Sequence, residues 1–117
     1  MDSVNEKRAE IADRVRALLA NEPTLEEKRM FGSLAFMVDE RMLVAAWGEG
    51  HLLVRVDPER SAELQRVPGV SIAEMGPSRR SMGLSWLDVR SDVLAGDDQL
   101  LFWIDTARQY HAASRDS

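Results

Sequence analysis

The chain has 117 residues, a net charge of −5 and no cysteine. At this length one domain buries roughly two-thirds of its unfolded surface, so one hydrophobic core suffices without disulfides. The lack of cysteine excludes disulfides, thiolate metal sites and a cysteine nucleophile. No apolar run is long enough for a signal peptide or a membrane span. We therefore expect a single cytoplasmic domain over residues 1–117, with no membrane contact.

Charge is unevenly distributed along the chain. Residues 1–27 contain seven acids and four bases, and residues 91–117 contain five acids and two bases. A surface that binds nucleic acid is normally basic, because its affinity comes from neutralising phosphates and releasing counterions. The sequence has no basic helix or stripe of this kind. We therefore expect no strong direct binding to nucleic acid.

The first predicted element is an amphipathic helix over residues 4–20. Ile11, Val15 and Leu19 fall on one face at helical spacing, with charged residues opposite. Asn21-Glu22-Pro23 ends the helix, because the residue before a proline is driven out of the helical conformation.

Residues 27–56 then change to a strand pattern. The runs RMFG, SLAFMV, RMLVAAW and HLLVRV are short, apolar and separated by turn residues. This pattern predicts an antiparallel meander with one face on the core, in which Leu34 and Phe36 or their alternates pack beneath the first and last helices.

Three turns are predicted within the meander. Lys28–Val38 reads as two strand pieces joined or bent at Gly32-Ser33, where glycine would mark a bulge or the close approach of a neighbour. The run AWGEGHL predicts a hairpin turn. Asp39-Glu40 predicts a turn longer than two residues, because Glu40 tolerates a positive φ poorly.

The rest of the chain predicts a short helix, two strands and a long helix. Asp57-Pro58 begins the short helix with an acidic N-cap and a proline, and Pro68-Gly69 stops it. Residues 71–75 and 84–89 read as strands around the polar loop GPSRRSMG, and apolar residues at helical spacing predict a helix over residues 97–112. The predicted fold class is α+β, an antiparallel meander packed against N- and C-terminal helices.

Four runs give the chain a resemblance to a known family. They are KRMFGSLAFMVDERML, LLVRVDPE, SMGLSWLDVRSDVL and LLFWIDTARQ. Together they resemble the N-terminal domain of the TfoX/Sxy family over nearly the whole chain, as a single-domain member. Ser33 stands where a second glycine is common, and Asp39-Glu40 stands where Asn-Gly is often seen. The resemblance implies an α+β domain and, in the best-known members, transcriptional control of natural competence alongside the cyclic-AMP receptor protein.

No catalytic or metal-binding pattern stands out. His51 and His111 are the only histidines, and neither has a second ligand at a helical or hairpin spacing. No nucleophile-elbow motif is present. His51, beside a glycine turn, is best explained as a surface strand residue. We expect no enzymatic activity, no metal and no cofactor.

The methionines in strands and all three tryptophans are interpreted mainly as core residues. Met82, in a polar loop, and Trp86, which could line a cleft, are the exceptions. The candidate binding residues are Lys28, Arg29, Phe31, Gly32, Arg55, Arg79, Arg80, Met82 and Trp86. The cations among them could form a shared anion-accepting surface, although isolated exposed charges need no special explanation.

Two functions remain open from the sequence. The first is a non-enzymatic regulatory or protein-interaction domain of TfoX type, with a transcription regulator as one candidate partner and a second copy of the chain as another. The alternative is a small-ligand or anion-binding domain. An exposed apolar patch or a symmetric contact would favour the first, and a concave polar site would favour the second.

Overall fold

The computed structural model describes residues 3–30, 32–75 and 78–115. Its helices are α1 (Ser3–Leu18), α2 (Ser61–Leu64) and α3 (Asp97–Arg115), with short 3₁₀ turns at Pro58–Arg60 and Ser91–Leu94. Its strands are β1 (Glu26–Met30), β2 (Ser33–Val38), β3 (Arg41–Trp47), β4 (His51–Arg55), β5 (Val70–Ile72), β6 (Glu74–Met75), β7 (Arg80–Ser81) and β8 (Trp86–Val89). No helix in these residues has the length and apolar character needed to cross a membrane.

Six of the strands form one antiparallel sheet. Its strand order is β1-β2-β3-β4-β8-β5, so the first four strands are a meander and β1 and β5 are the two edges. Strands β6 and β7 form a separate small hairpin. The predicted α+β class and the predicted meander are both confirmed.

One face of the sheet packs against α1 and α3 and forms the main core. Its largest fully buried side chains include Trp103, Phe36, Leu19, Leu43, Leu52, Leu87, Leu94, Leu100 and Ile104. Burying one such side chain contributes about 1.5–3 kcal/mol. Phe36 is fully buried and Leu34 packs against the same cluster, as predicted.

The opposite face of the sheet holds a second, smaller apolar cluster. We call this cluster the open face; it consists of Ala35, Met37 and Ala45, with Met30, Met42 and Leu53 packed around them. No helix residue within the described ranges belongs to it. The three methionines therefore lie outside the helix-covered core, because alternate residues of a strand point to opposite faces.

The turn at Asp39-Glu40 differs from its prediction. It has only two residues, at φ 53° and 67°, between the paired residues Val38 and Arg41. Distant contacts hold this conformation: the Asp39 N–H donates to Thr24 Oγ1 at 2.9 Å, and His111 Nε2 lies 3.0 Å from Asp39 Oδ2. The prediction of a longer turn was wrong because these contacts stabilise a two-residue turn in which Glu40 takes a backbone conformation that glutamate rarely adopts.

The reason predicted for Gly32 is also wrong. Gly32 lies in the tight turn between β1 and β2, where Met30 pairs with Ser33. Its φ is 78°, and a Cβ added there would meet nothing within 4 Å. Glycine is therefore required by the left-handed backbone of a turn, and not by a bulge or by a crowding neighbour. Phe31, one of the candidate binding residues, lies outside the described residues.

Candidate functional site

Strand β1 forms an uncovered edge of the sheet and carries two of the predicted site residues. Glu26, Glu27, Lys28 and Arg29 are all exposed, and Met30 is half-buried. Every second residue of an antiparallel edge strand directs its N–H and C=O groups away from its neighbour. The edge therefore presents unpaired backbone groups together with four consecutive charged side chains.

A groove runs between α1 and the β1–β2 hairpin. Its volume is about 640 Å³, and its lining includes Arg8, Asp13, Arg16 and Arg29. The Arg8 guanidinium donates to the Gly32 carbonyl oxygen at 2.7 Å, which ties α1 to the turn of the hairpin. The start of the KRMFG run thus lies beside arginines of the first helix.

Arg16 connects the wall of the groove to β1. Its guanidinium donates from two nitrogens to the two oxygens of Glu27, each at 2.6 Å, and from a third nitrogen to Asp13 at 2.6 Å. The hydrogen bonds from Arg16 lower the pKa of Glu27, and those to Glu27 and Asp13 raise the pKa of Arg16. A bidentate pair of this kind fixes both side chains more firmly than a single ion pair.

Arg55 and Trp86 lie together where β4 ends and β8 begins. They are directly opposite each other in the pairing of β4 with β8, and with Arg41 and Met42 they line a groove of about 430 Å³. The Arg55 guanidinium stands 5.0 Å from the centre of the Tyr110 ring, which is cation–π geometry. Trp86 thus lines a cleft, as its sequence position suggested.

Arg79, Arg80 and Met82 belong to the β6–β7 hairpin and the residue that follows it. Arg79 and Arg80 are exposed, and Arg79 has a φ of 52°. The Met82 N–H donates to the Ala73 carbonyl oxygen at 2.8 Å, which fixes the hairpin beyond β5. The hairpin is therefore at the edge of the sheet opposite to β1.

The predicted site residues consequently occupy three places. Lys28, Arg29 and Gly32 lie at the β1 edge, Arg55 lies with Trp86, and the remaining three lie on the hairpin. Strand β4 is three strand spacings from β1, about 14 Å. The structure brings Arg55 and Trp86 together but does not gather all the cations on one surface.

Comparison with known proteins gives one result. Residues 17–110 match the model of the TfoX N-terminal domain. The chain belongs to the TfoX N-terminal domain family. No curated protein and no solved structure gives a significant match to it. The matched range contains all the strands and the β1–β2 wall of the groove, whereas the α1 wall of the groove, with Arg8, Asp13 and Arg16, precedes it.

The TfoX N-terminal domain also has a polar cluster that the sequence did not predict. The Trp47 indole N–H donates to Asp88 Oδ1 at 3.1 Å, and His51 Nδ1 lies 3.3 Å from the same oxygen. The Trp47 and His51 rings meet edge to face, with centres 5.1 Å apart. His51 is the first residue of a strand, as predicted, and it is half-buried against Trp47 and Asp88 rather than fully exposed.

The cluster holds an imidazole in a fixed orientation beside a polar groove. Asp88 fixes the imidazole of His51 beside an open groove of about 450 Å³ that Ser71 and Arg90 also line. Among the described residues, His51 has no hydroxyl partner that it could activate. The described residues also contain no group of three or more His, Cys, Asp or Glu side chains arranged to hold a metal ion.

Proposed function

We propose that this TfoX N-terminal domain is a non-enzymatic protein-interaction domain of a regulatory system, and that it binds a transcription regulator through the open face. The observation that carries the proposal is the position of Met30, Met37, Met42 and Leu53 on the side of the sheet away from α1 and α3. Met30, Met42 and Leu53 are half-buried and keep part of their apolar surface accessible, and accessible apolar patches are typical of binding surfaces.

The side chains of the open face suit adaptable protein contacts. Methionine is unbranched and polarisable, so it fits partners of irregular shape. Trp47 and Trp86 are half-buried, and strand alternation places them on the same side of the sheet as Leu53. Aromatic residues and methionine are enriched in protein interfaces relative to other surfaces. The family membership supports a regulatory partner, since the best-known TfoX proteins act in transcriptional control.

The proposal is tested by capturing the partner with the tagged full chain from its native cells. Met42→Ser and Leu53→Ser remove apolar contact area from the open face, and we expect each to reduce capture of a transcription regulator about tenfold or more, as central interface residues do. Phe102→Ser is the matched control, because Phe102 is exposed on α3, on the other side of the sheet.

Three results would count against the proposal. They are undiminished capture by both open-face variants, equal loss in the Phe102→Ser control, and capture of proteins that have no connection to transcription. Thermal melts of each variant confirm that loss of capture is not loss of folding.

A second candidate function is anion binding in the groove between α1 and β1. Three arginines line that groove, and guanidinium groups suit planar or tetrahedral anions. Arg8 and Arg16 already donate to protein oxygens, whereas Arg29 forms no ion pair with any other described residue.

Calorimetric titration with inorganic phosphate tests anion binding in this groove. Binding that Arg29→Ala abolishes, and that the exposed control Arg66→Ala keeps, would support it; no heat of binding would reject it.

A further inference from the structure

The four charged side chains of β1 alternate between the two faces of the sheet. Glu26 pairs with Met37 and Lys28 with Ala35, so these two charges point to the open-face side of the sheet. Glu27 pairs with Phe36 and Arg29 with Leu34, so the other two point to the helix side. Each side of the edge strand therefore carries one acid and one base, two residues apart.

This order of charges is self-complementary when two copies of β1 pair antiparallel to each other. Two copies of an edge strand can pair about a two-fold axis perpendicular to the sheet, and opposed residues then lie on the same face. With Glu27 on the axis, Glu26 of each copy lies opposite Lys28 of the other, which gives two opposite-charge pairs on the open-face side. With Lys28 on the axis, Glu27 of each copy would lie opposite Arg29 of the other, but the two Lys28 side chains would also oppose each other, and Lys28 has no ion pair with any other described residue of its own chain. The first register is favoured, because the like charges on its axis belong to Glu27, which Arg16 of the same chain already compensates.

The two Glu27 side chains at the axis do not oppose this register. Each is held by Arg16 of its own chain through two hydrogen bonds of 2.6 Å, so its charge is already compensated. Arg29 of one copy also lies diagonally across from Glu27 of the other, a distance that long side chains can span. On the helix side of the paired strands, each Glu27 carboxylate is thus close to two guanidinium groups, that of Arg16 from its own chain and that of Arg29 from the other copy.

We propose that two copies of this chain pair through β1, antiparallel, with Glu27 on the two-fold axis and Glu26 opposite Lys28. Charges on edge strands commonly prevent pairing, but a guard against pairing needs only one sign of charge. Here the residues that face each other across the axis, Glu26 and Lys28, have opposite charges. The product is one continuous sheet made from two six-stranded sheets, in which both open faces lie on the same side. The pairing does not depend on the proposed function, because it is measured without any other partner.

The test is the oligomeric state of the full chain by sedimentation velocity over a concentration series at low salt. We expect a reversible monomer–dimer equilibrium whose dissociation constant rises about tenfold or more at high salt, since exposed charge pairs are screened. Glu26→Lys or Lys28→Glu places like charges opposite each other and should weaken the dimer at least about tenfold.

Restoring the complementarity distinguishes this register from other modes of association. The double variant Glu26→Lys/Lys28→Glu again pairs opposite charges and should return to within about threefold of the wild-type dissociation constant. An equimolar mixture of the two single variants should form a heterodimer for the same reason. Glu49→Lys is the matched control, because Glu49 is exposed in the β3–β4 turn, and the same change of charge there should leave the equilibrium unchanged.

Several outcomes would overturn the proposal. A wild-type chain that stays monomeric throughout the series at low salt would do so, as would a dimer that neither single variant weakens. Failure of both the double variant and the mixture to restore pairing, in variants that circular dichroism shows to be folded, would reject the Glu27-centred register. Association that Met42→Ser abolishes and the β1 variants leave intact would assign the contact to the open face instead.

Discussion

At the scale of single residues, backbone conformation decides the identity of Gly32. Its φ of 78° lies in the left-handed region, and a Cβ at this position would point into open space. We expect Gly32→Val to lower the free energy of unfolding by about 1–3 kcal/mol and Gly32→Ala by about 1 kcal/mol, because both force a disfavoured φ. Gly32→Asn should cost least, since asparagine tolerates this region.

Urea denaturation of the three Gly32 variants ranks these costs. If crowding rather than φ were responsible, asparagine would be worse than alanine, because it is larger. That order would contradict a cost that arises from the left-handed backbone.

The pair formed by Arg16 and Glu27 makes a pH-dependent contribution to stability. Because the hydrogen bonds from Arg16 lower the pKa of Glu27 below its ordinary 4.5, folding favours the ionised carboxylate. The contribution is complete above about pH 4.5 and is lost as the pH falls through the lower pKa of the folded state. For this partly exposed pair we expect Glu27→Gln to cost about 0.5–1 kcal/mol near neutral pH.

Urea melts of the wild type and Glu27→Gln across this range test the sign of the effect. The difference between them should shrink towards zero in acid. The exposed control Glu49→Gln should change stability by no more than a few tenths of a kcal/mol at any pH. A difference that grows as the pH falls would refute the assigned cause.

Residue identities in the Asp39-Glu40 turn show where sequence reasoning is limited at this scale. Local preference argues against a positive φ for Glu40. The contacts that override it come from Thr24 and His111, which are 15 and 72 residues away in the chain. A local pattern cannot contain this information, so the turn type could not be predicted from it.

At the scale of elements, periodicity predicted most of what forms. The helix expected over residues 4–20 is Ser3–Leu18, and the helix expected over 97–112 is Asp97–Arg115. The meander was predictable because its apolar runs alternate and are separated by turn residues. Strand β7 falls in the predicted loop, because Arg80 and Ser81 are polar and exposed and give no apolar alternation.

The open face was not predicted, for a different reason. An apolar residue in a strand indicates burial but does not say which face the helices will cover. Met37 and Phe36 are adjacent and both apolar, yet only Phe36 lies beneath the helices. The cluster of Trp47, His51 and Asp88 likewise depends on β4 pairing with β8, a long-range choice that the sequence pattern leaves open.

Helix α3 gives a direct test of the layer arrangement. Trp103 is 2% exposed and its neighbour Phe102 is 46% exposed, although both are large aromatic residues. We expect Trp103→Ala to cost about 3–5 kcal/mol of unfolding free energy, because it leaves a cavity in the main core. Phe102→Ala should cost less than about 1 kcal/mol, as surface changes usually do. Similar losses in chemical denaturation for the two variants would contradict the assigned orientation of α3.

At the scale of the whole molecule, the surfaces have separate positions and different chemistry. The β1 edge is charged on both sides, the open face is apolar, and the hairpin with Arg79 and Arg80 lies at the far edge of the sheet. Pairing through β1 would leave the open face accessible, since the edge and the face do not overlap except at Met30. One molecule could therefore pair with a copy of itself and bind a different protein at the same time.

The overall charge leads to the last prediction, on nucleic acid. The net charge is −5, and the exposed arginines of the described residues are spread over β1, β3, the β6–β7 hairpin and the connecting segments rather than gathered along one element. We therefore expect the isolated chain to bind duplex DNA only weakly, with an affinity that falls steeply as salt rises. Any stronger association with DNA would go through a protein partner. Fluorescence anisotropy at physiological salt measures this directly. Sub-micromolar binding that distinguishes one DNA sequence from another would contradict the prediction.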